Sequence, residues 1–129
     1  MIAVDASAIL AILLREPEGA GFVTRFHPSG GRISPVNHWE VMVRAYGLGG
    51  DGGVIEARRL LRELGVEVAE VGEPASRAAF DAFVRFGKGT GRGPLNLGDC
   101  FAYEVAKEHA CRLLYVGDDF SKTDIEVVL

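Results

Sequence analysis

Carboxylates that follow apolar stretches are the residues of this chain best suited, by type and spacing, to do chemistry. Asp5 follows residues 2–4, and Asp118 and Asp119 follow residues 113–116. Each stretch is short, apolar and followed by a turn signal, which is typical of a buried strand. Because the C-terminal ends of parallel strands lie along one edge of a sheet, we expect these carboxylates at a common edge, where open α/β sheets bind their ligands.

Asp99 also has an informative position, because it faces the apolar side of its helix. It lies in the first turn of a helix predicted over residues 97–110, on the stripe that contains Ala102, Tyr103 and Ala106. A buried carboxylate is costly unless it is paired or binds a metal. Interaction with the helix dipole, worth about 0.3–1 kcal/mol, explains an acid in the first turn but not its inward direction. The position of Asp99 therefore favours a functional role.

Each of the other acids has a purely structural explanation when it is taken alone. Asp5 could cap the helix that is predicted to begin near Ser7. Glu40 borders the apolar stripe of a later helix, where a solvated glutamate is the default, and acid pairs such as Asp118 and Asp119 are common in turns. The case for a site rests on the joint arrangement, since all these acids could converge on one cleft.

A cluster of carboxylates predicts a site for a hard divalent cation. Carboxylates brought together raise one another's pKa values, and a cation removes that conflict. Mg²⁺ and Mn²⁺ favour oxygen ligands, and the sequence has no histidine or cysteine cluster that would select a softer metal. Such a site, with one ion or two, activates water and stabilises the charge of an in-line phosphoryl displacement.

Strands and helices alternate along the chain, and these elements must position the acids. Strands are predicted at residues 1–4, 32–34, 66–71, 112–116 and 125–129. Helices are predicted from about residue 7 and at residues 17–25, 35–48, 54–64, 73–86 and 97–110. This alternation predicts a single α/β domain, residues 1–129, with a central, mostly parallel sheet of four to five strands flanked by helices on both faces.

Glycine-rich segments separate two pairs of these helices. Residues 49–53 predict a flexible turn, and residues 87–94 predict a mobile loop. The helix before the first of them has an apolar face that includes Trp39, Val43 and Tyr46. We therefore expect Trp39 to lie in the core, although this helix could also expose a groove or a dimer surface.

The composition fits one ordinary soluble domain, with 129 residues, 48% apolar and 25% charged. The net charge of −4 excludes a nucleic-acid binder that relies on bulk positive charge, so such binding would need a local basic patch or metal ions. No apolar run is long enough to span a bilayer, and no signal-peptide pattern is present. Cys100 and Cys111 are predicted to be reduced thiols, so we expect a cytoplasmic protein without a membrane partner.

Four segments of the sequence resemble the PIN-domain ribonucleases, and most closely the VapC toxins of bacterial and archaeal toxin–antitoxin pairs. They are Val4-Asp5-Ala6-Ser7-Ala8, the helix start Ser34…Asn37…Glu40, residues 95–103 (LNLGDCFAY) and residues 113–120 (LLYVGDDF). The last two motifs are specific, and the resemblance covers essentially the whole chain. Two departures are visible: Ala6 replaces a frequent threonine or serine, and Val116 a frequent basic residue. Neither departure affects the acids.

The resemblance implies a PIN-like domain that acts as a metal-dependent endoribonuclease toxin. It implies acidic ligands at Asp5, Glu40 and Asp99, with Ser7 expected to orient Asp5 or cap its helix. The fourth acid would be Asp118 or Asp119; the motif leaves this open, and we prefer Asp118. The implied cofactor is Mg²⁺, with Mn²⁺ as a substitute. The implied partners are an RNA substrate, a VapB-like antitoxin and a second copy of the chain.

Other interpretations remain open at this point. The basic residues Arg85, Lys88 and Arg92, in or beside the glycine-rich loop, could bind RNA phosphates or simply be solvated. The acids would also suit a receiver-like Mg²⁺-binding signalling module, although that fold needs an acidic pair after the first strand, where Asp5 stands alone, and an aspartate after the central strand, where residues 66–71 are followed by Gly72-Glu73. A catalytically silent RNA-binding domain is the third alternative.

Overall fold

Four short parallel strands form the centre of the computed structural model, which describes residues 1–26 and 29–128. The strands are β1 (Ile2–Val4), β2 (Gly31–Ile33), β3 (Val66–Val68) and β4 (Leu113–Leu114), in the order β3-β2-β1-β4. Every neighbouring pair runs parallel. The C-terminal ends of the strands therefore lie at one edge, and the predicted parallel α/β sheet is confirmed with four strands.

The fifth predicted strand, over residues 125–129, is wrong for the described residues up to 128. Val127 makes one isolated parallel bridge to Leu113, with no continued ladder. Leu129 lies outside the described residues. Because β4 is only two residues long, it offers too short an edge for a further strand to pair along.

Five helices cover the two faces of the sheet within the described residues. They are α1 (Ala6–Leu13), α2 (Gly19–Val23), α3 (Pro35–Glu63), α4 (Glu73–Phe86) and α5 (Leu97–Glu108). Side chains alternate in direction along a strand. Ala3 and Leu113 consequently pack in a core with α4 and α5, whereas Val4 and Leu114 pack in a second core with α1 and α3. The predicted helices on both faces are confirmed.

The glycine-rich segment 49–53 is a sharp kink rather than a flexible turn. Only Gly50 leaves the helical conformation, with φ 60° and ψ −144°, so α3 continues as helix on both sides of it. Positive φ is open to glycine at little cost. Beyond the kink Gly53 lies so close to Ala45 that an added Cβ would come within 3.1 Å of the Ala45 carbonyl carbon. The two halves of α3 therefore fold back on each other at this point.

The predicted core face of α3 is wrong. Trp39, Val43 and Tyr46 are exposed, at 64%, 49% and 61% of their surfaces. The inward face is instead the smaller and partly polar one formed by Asn37, Val41 and Ala45. The amide of Asn37 sets this orientation, because it donates a hydrogen bond to a backbone carbonyl in α5. An apolar stripe therefore remains on the surface of α3. None of the described helices is both long and apolar enough to cross a membrane.

Candidate active site

Asp5 is held at the C-terminal end of β1 by its own helix and by β4. Its backbone N–H donates to the carbonyl of Leu114 at 3.0 Å. Its Oδ2 accepts hydrogen bonds from the backbone N–H of Ser7 at 3.0 Å and from the Ser7 hydroxyl at 2.5 Å. The same hydroxyl accepts from the N–H of Val116 at 3.0 Å. Asp5 is thus the N-cap of α1 and is 7% exposed, so capping and a place in the acidic cluster are compatible.

Asp99 is fixed by a capping box at the start of α5. The N–H of Asn96 donates to Asp99 Oδ2 at 3.1 Å, and the N–H of Asp99 donates to Asn96 Oδ1 at 2.9 Å. This reciprocal pair satisfies two N–H groups that a helix end would otherwise leave free. The carboxyl nevertheless points inward and is 7% exposed. Asp99 therefore has a structural role through one oxygen and remains in the cluster.

Glu40 is held by Asn37, a residue that the sequence analysis did not single out for a role. The Asn37 side chain is fully buried. Its Nδ2 lies 3.1 Å from Glu40 Oε1, 3.0 Å from the carbonyl of Gly98 and 3.5 Å from Asp5 Oδ1. The signals in the sequence were its place in the helix-start motif Ser34…Asn37…Glu40 and its spacing, since Asn37 lies one helical turn before Glu40. Glu40 itself is half-buried beside Asp5.

The fourth acid in contact with this cluster is Asp119 rather than Asp118. The charge of Asp119 acts on both Asp5 and Asp99 and raises the pKa of each carboxyl. Asp118 is exposed, and its charge acts on Tyr115 instead. The geometry therefore favours Asp119 over the Asp118 that the sequence analysis preferred.

Burial and mutual repulsion raise the pKa values of three of these acids. Burial raises the pKa of Asp99 to about 7; the hydrogen bond from the Asn96 N–H lowers it, and the charges of Asp5 and Asp119 raise it further. Burial also raises the pKa of Asp5, against the hydrogen bonds from Ser7, and Asp119 adds to the increase. The pKa of Glu40 is raised by burial and then by Asp5, and the Asn37 amide lowers it.

The chemistry of this cluster fits a hard divalent cation. Its donors are carboxylate oxygens that oppose one another's ionisation. Across residues 1–26 and 29–128, no three His, Cys, Asp or Glu side chains are already arranged to hold an ion. The residues therefore suit an ion such as Mg²⁺, which keeps several waters and is bound through one or two carboxylates.

A cleft of about 430 Å³ opens beside this cluster. It is lined by residues of the glycine-rich loop and of the turn after β4: Gly91, Gly93, Pro94, Asp118, Asp119, Ser121 and Lys122. The guanidinium of Arg92 does not face a ligand there, because its Nε and Nη2 donate to the Val84 carbonyl at 2.9 and 2.7 Å. Arg85 is likewise engaged, with Asp81 and Asp124. Lys88 and Lys122 have no ion pair among the described residues.

The PIN domain family model matches residues 2–126 of this chain. A VapC ribonuclease of Rhizobium meliloti is 35% identical to it, over 95% of this chain and 97% of its own length. The ribonuclease VapC30 of Mycobacterium tuberculosis is 33% identical, over 97% of this chain and 96% of its own length. The similarity thus extends over nearly the whole of each protein.

Two solved toxin structures have the same fold. VapC20 of Mycobacterium tuberculosis, a toxin that cleaves the sarcin–ricin loop, superposes with a TM-score of 0.77 at 19% identity and covers 99% of this chain and 98% of its own. A toxin–antitoxin complex from Klebsiella pneumoniae gives a TM-score of 0.75, also at 19% identity, and covers 99% of this chain and 97% of the matched chain. This chain therefore shares its fold with both solved structures.

Proposed function

The chain belongs to the PIN domain family, and from this premise we propose that it is a metal-dependent endoribonuclease, the toxin of a toxin–antitoxin pair. The observation that carries the proposal is the charge interaction among Asp5, Asp99 and Asp119 beside the carboxyl edge of the sheet, in a chain related to VapC ribonucleases over nearly its full length. The receiver-like module and the silent RNA-binding domain are not supported by these relatives, which are ribonucleases.

We assign the site to four acids: Asp5 and Asp99 as the principal metal ligands, with Glu40 and Asp119 completing the set. The hydrogen bonds from Ser7 and the capping box with Asn96 support the first two, because they hold each carboxyl in one orientation. The bound ion would activate water and stabilise charge on a phosphodiester. Water then displaces one ribose oxygen from phosphorus, so that one P–O bond forms as another breaks.

Mg²⁺ is the cofactor we propose, with Mn²⁺ as a substitute. All four side chains are carboxylates, and hard cations prefer such oxygen ligands to the softer nitrogen and sulfur ligands. Cys100 is buried behind Asp99, and burial raises its pKa to about 11, so it remains a neutral thiol and no soft ligand competes. Activity should therefore return to the metal-stripped protein with Mg²⁺ or Mn²⁺.

The partners we propose are an RNA substrate, a VapB-like antitoxin and a second copy of the chain. The antitoxin is assigned to the exposed stripe of α3, where a groove of about 530 Å³ is lined by Trp39, Glu40, Val43, Arg44, Gly47 and Leu48. An apolar surface beside an acid of the site suits a partner that blocks it. We further propose a cytoplasmic location, supported by the free thiols of Cys100 and Cys111.

The decisive experiment replaces the two principal ligands. We expect Asp5→Asn and Asp99→Asn each to abolish RNA cleavage in vitro and growth arrest in cells, because each removes a metal ligand while keeping the shape of the side chain. Circular dichroism and thermal unfolding would check that both variants remain folded. Full activity of both folded variants would refute the proposed function.

A further inference from the structure

We propose that Asn37 and Gly98 are positioning residues that together form a seat for the Glu40 carboxylate beside Asp5. One residue holds the carboxylate by a hydrogen bond, and the other leaves the space that it occupies. The inference rests on the proposed function, because it gives Glu40 a defined place in the acidic site.

The Asn37 amide links three separate elements at one buried point. Its Nδ2 has acceptors in α3 (Glu40 Oε1), in α5 (the Gly98 carbonyl) and at the end of β1 (Asp5 Oδ1). Two N–H bonds serve these three acceptors, and all three oxygens require the nitrogen, not the oxygen, to face them. The amide orientation is thereby determined by its surroundings. A fully buried polar side chain is costly without partners, and two of the three acceptors of Asn37 are carboxylates.

Gly98 is the second half of the seat, since a side chain there would displace Glu40. A Cβ added to Gly98 would lie 2.9 Å from Glu40 Cδ and 3.1 Å from Oε2, and would overlap Oε1. The backbone does not itself require glycine: Gly98 lies within α5 and has no positive φ. Alanine is the better helix former at such a position. The absent side chain therefore serves the Glu40 carboxylate and not the local fold.

Charge interactions agree with this geometry. Asp5 acts on the Glu40 carboxyl through its charge, and the Asn37 amide offsets this by stabilising the ionised form. Asn37 thus keeps two carboxylates close together that would otherwise separate. The seat determines the distance between Glu40 and the rest of the site.

The test uses Gly98→Ala with Gly52→Ala as its matched control. Gly52 also lies in a helix, is exposed, and has no atom within 4 Å of an added Cβ. By calorimetry on metal-stripped protein we expect Gly98→Ala to weaken Mn²⁺ binding about tenfold, the lower range for losing an outer-shell partner. Gly52→Ala should stay within twofold of the wild type. Wild-type Mn²⁺ affinity in Gly98→Ala would overturn the inference.

A double-mutant cycle establishes whether Gly98 acts through Glu40. In a Glu40→Ala background the added methyl group has nothing to displace, so Gly98→Ala should weaken Mn²⁺ binding no further. An equal loss of Mn²⁺ affinity in both backgrounds would show that Gly98 does not act through Glu40 and would refute the inference. The cycle isolates the pair because its two residues are in direct contact.

Thermal unfolding in EDTA gives a readout that needs no metal. Gly98→Ala should raise Tm more in the Glu40→Ala background than in the wild type, since only there is the gain in helix propensity free of the displaced carboxylate. An equal rise in Tm in both backgrounds would refute the inference that Gly98 leaves space for the Glu40 carboxylate. If the wild type binds no Mn²⁺ but Gly98→Ala raises Tm by different amounts in the two backgrounds, the proposed function is refuted and the inference about Glu40, Asn37 and Gly98 is supported.

Asn37→Leu tests the other half of the seat, with Ser34→Ala as control. Ser34 is buried and caps the same end of α3, accepting from the Val36 N–H at 3.2 Å, so its loss weakens that helix end without touching an acid. We expect both variants to lower Tm, but only Asn37→Leu to weaken Mn²⁺ binding in the folded protein. If Asn37→Leu does not fold, Asn37→Ser, which introduces a shorter side chain, replaces it in the same measurement. Unchanged Mn²⁺ affinity in the folded Asn37 variant would refute its role.

Discussion

The charge of Asp119 acts on the carboxyl group of Asp99, whereas the charge of Asp118, one residue earlier, acts on Tyr115. Together with burial and Asp5, Asp119 raises the pKa of Asp99 to about 7. The fourth acid of the cluster is thereby distinguished from a neighbour of the same type. This relationship leads to the first of four predictions.

Asp119→Asn should lower kcat for RNA cleavage by about 10–100-fold, the range for residues that support a metal site. Asp118→Asn is the matched control, since it makes the same chemical change in the same turn, and should stay within about threefold of the wild type. Single-turnover cleavage of a labelled RNA would measure both. A larger decrease in kcat for Asp118→Asn than for Asp119→Asn would show that Asp118 is the fourth acid of the site.

The metal-free protein should lose stability as pH rises from about 4 to about 7. The pKa of Asp99 is about 7 in the folded protein and 3.8 in the unfolded reference, so between these values the folded state holds a proton that the unfolded state has released. The free energy of unfolding therefore falls with pH over this range. Burial of Asp5 and Glu40 raises their pKa values too and acts in the same direction.

Thermal unfolding in EDTA across this pH range would measure the effect. Asp99→Asn should have a shallower decrease in Tm with pH, because it removes one of the titrating groups. Saturating Mg²⁺ should raise Tm more at pH 7.5 than at pH 5, since protons and the cation compete for the same oxygens. A pH slope that is the same with and without Asp99 would contradict the prediction.

Lys88 and Lys122 should contribute to RNA binding, and Arg92 to stability. The two lysines flank the cleft or line it, while the Arg92 guanidinium is committed to the Val84 carbonyl. We expect Lys88→Ala and Lys122→Ala to raise KM for RNA. Each substitution should also reduce the slope of the logarithm of the binding constant against the logarithm of salt concentration by roughly 0.7–1. Arg92→Ala should instead lower Tm. A salt dependence unchanged in both lysine variants would exclude them as phosphate contacts.

Trp39→Ala should weaken antitoxin binding without unfolding the toxin. Trp39 is 64% exposed, so little core packing is lost, whereas buried tryptophans at interfaces commonly contribute about 2 kcal/mol or more. Phe80→Ala is the matched control, because Phe80 is 66% exposed on α4, away from the α3 stripe. Binding of the cognate antitoxin by calorimetry would separate the two surfaces. A loss of antitoxin affinity in Phe80→Ala but not in Trp39→Ala would show that the antitoxin binds the α4 face instead.

The local arrangement of the site was largely predictable from the sequence. The alternation of strands and helices placed Asp5 after β1, and the helical period placed Asp99 on the inward side of α5. The capping box of Asn96 with Asp99 and the bond of Ser7 to Asp5 each join residues two or three apart. Such contacts follow from helix and turn geometry alone, so a linear pattern can reveal them.

Only the tertiary structure decided what depends on contacts between distant segments. Hydrophobic periodicity assigned Trp39 to the core, but close packing of α3 selected the small face with Asn37, whose amide bonds to Gly98 across 61 residues of chain. Asp118 and Asp119 are equivalent in a linear pattern, because an irregular turn has no period to separate them. The sequence thus determined which acids were available, and the packing of helices around the sheet determined which of them meet.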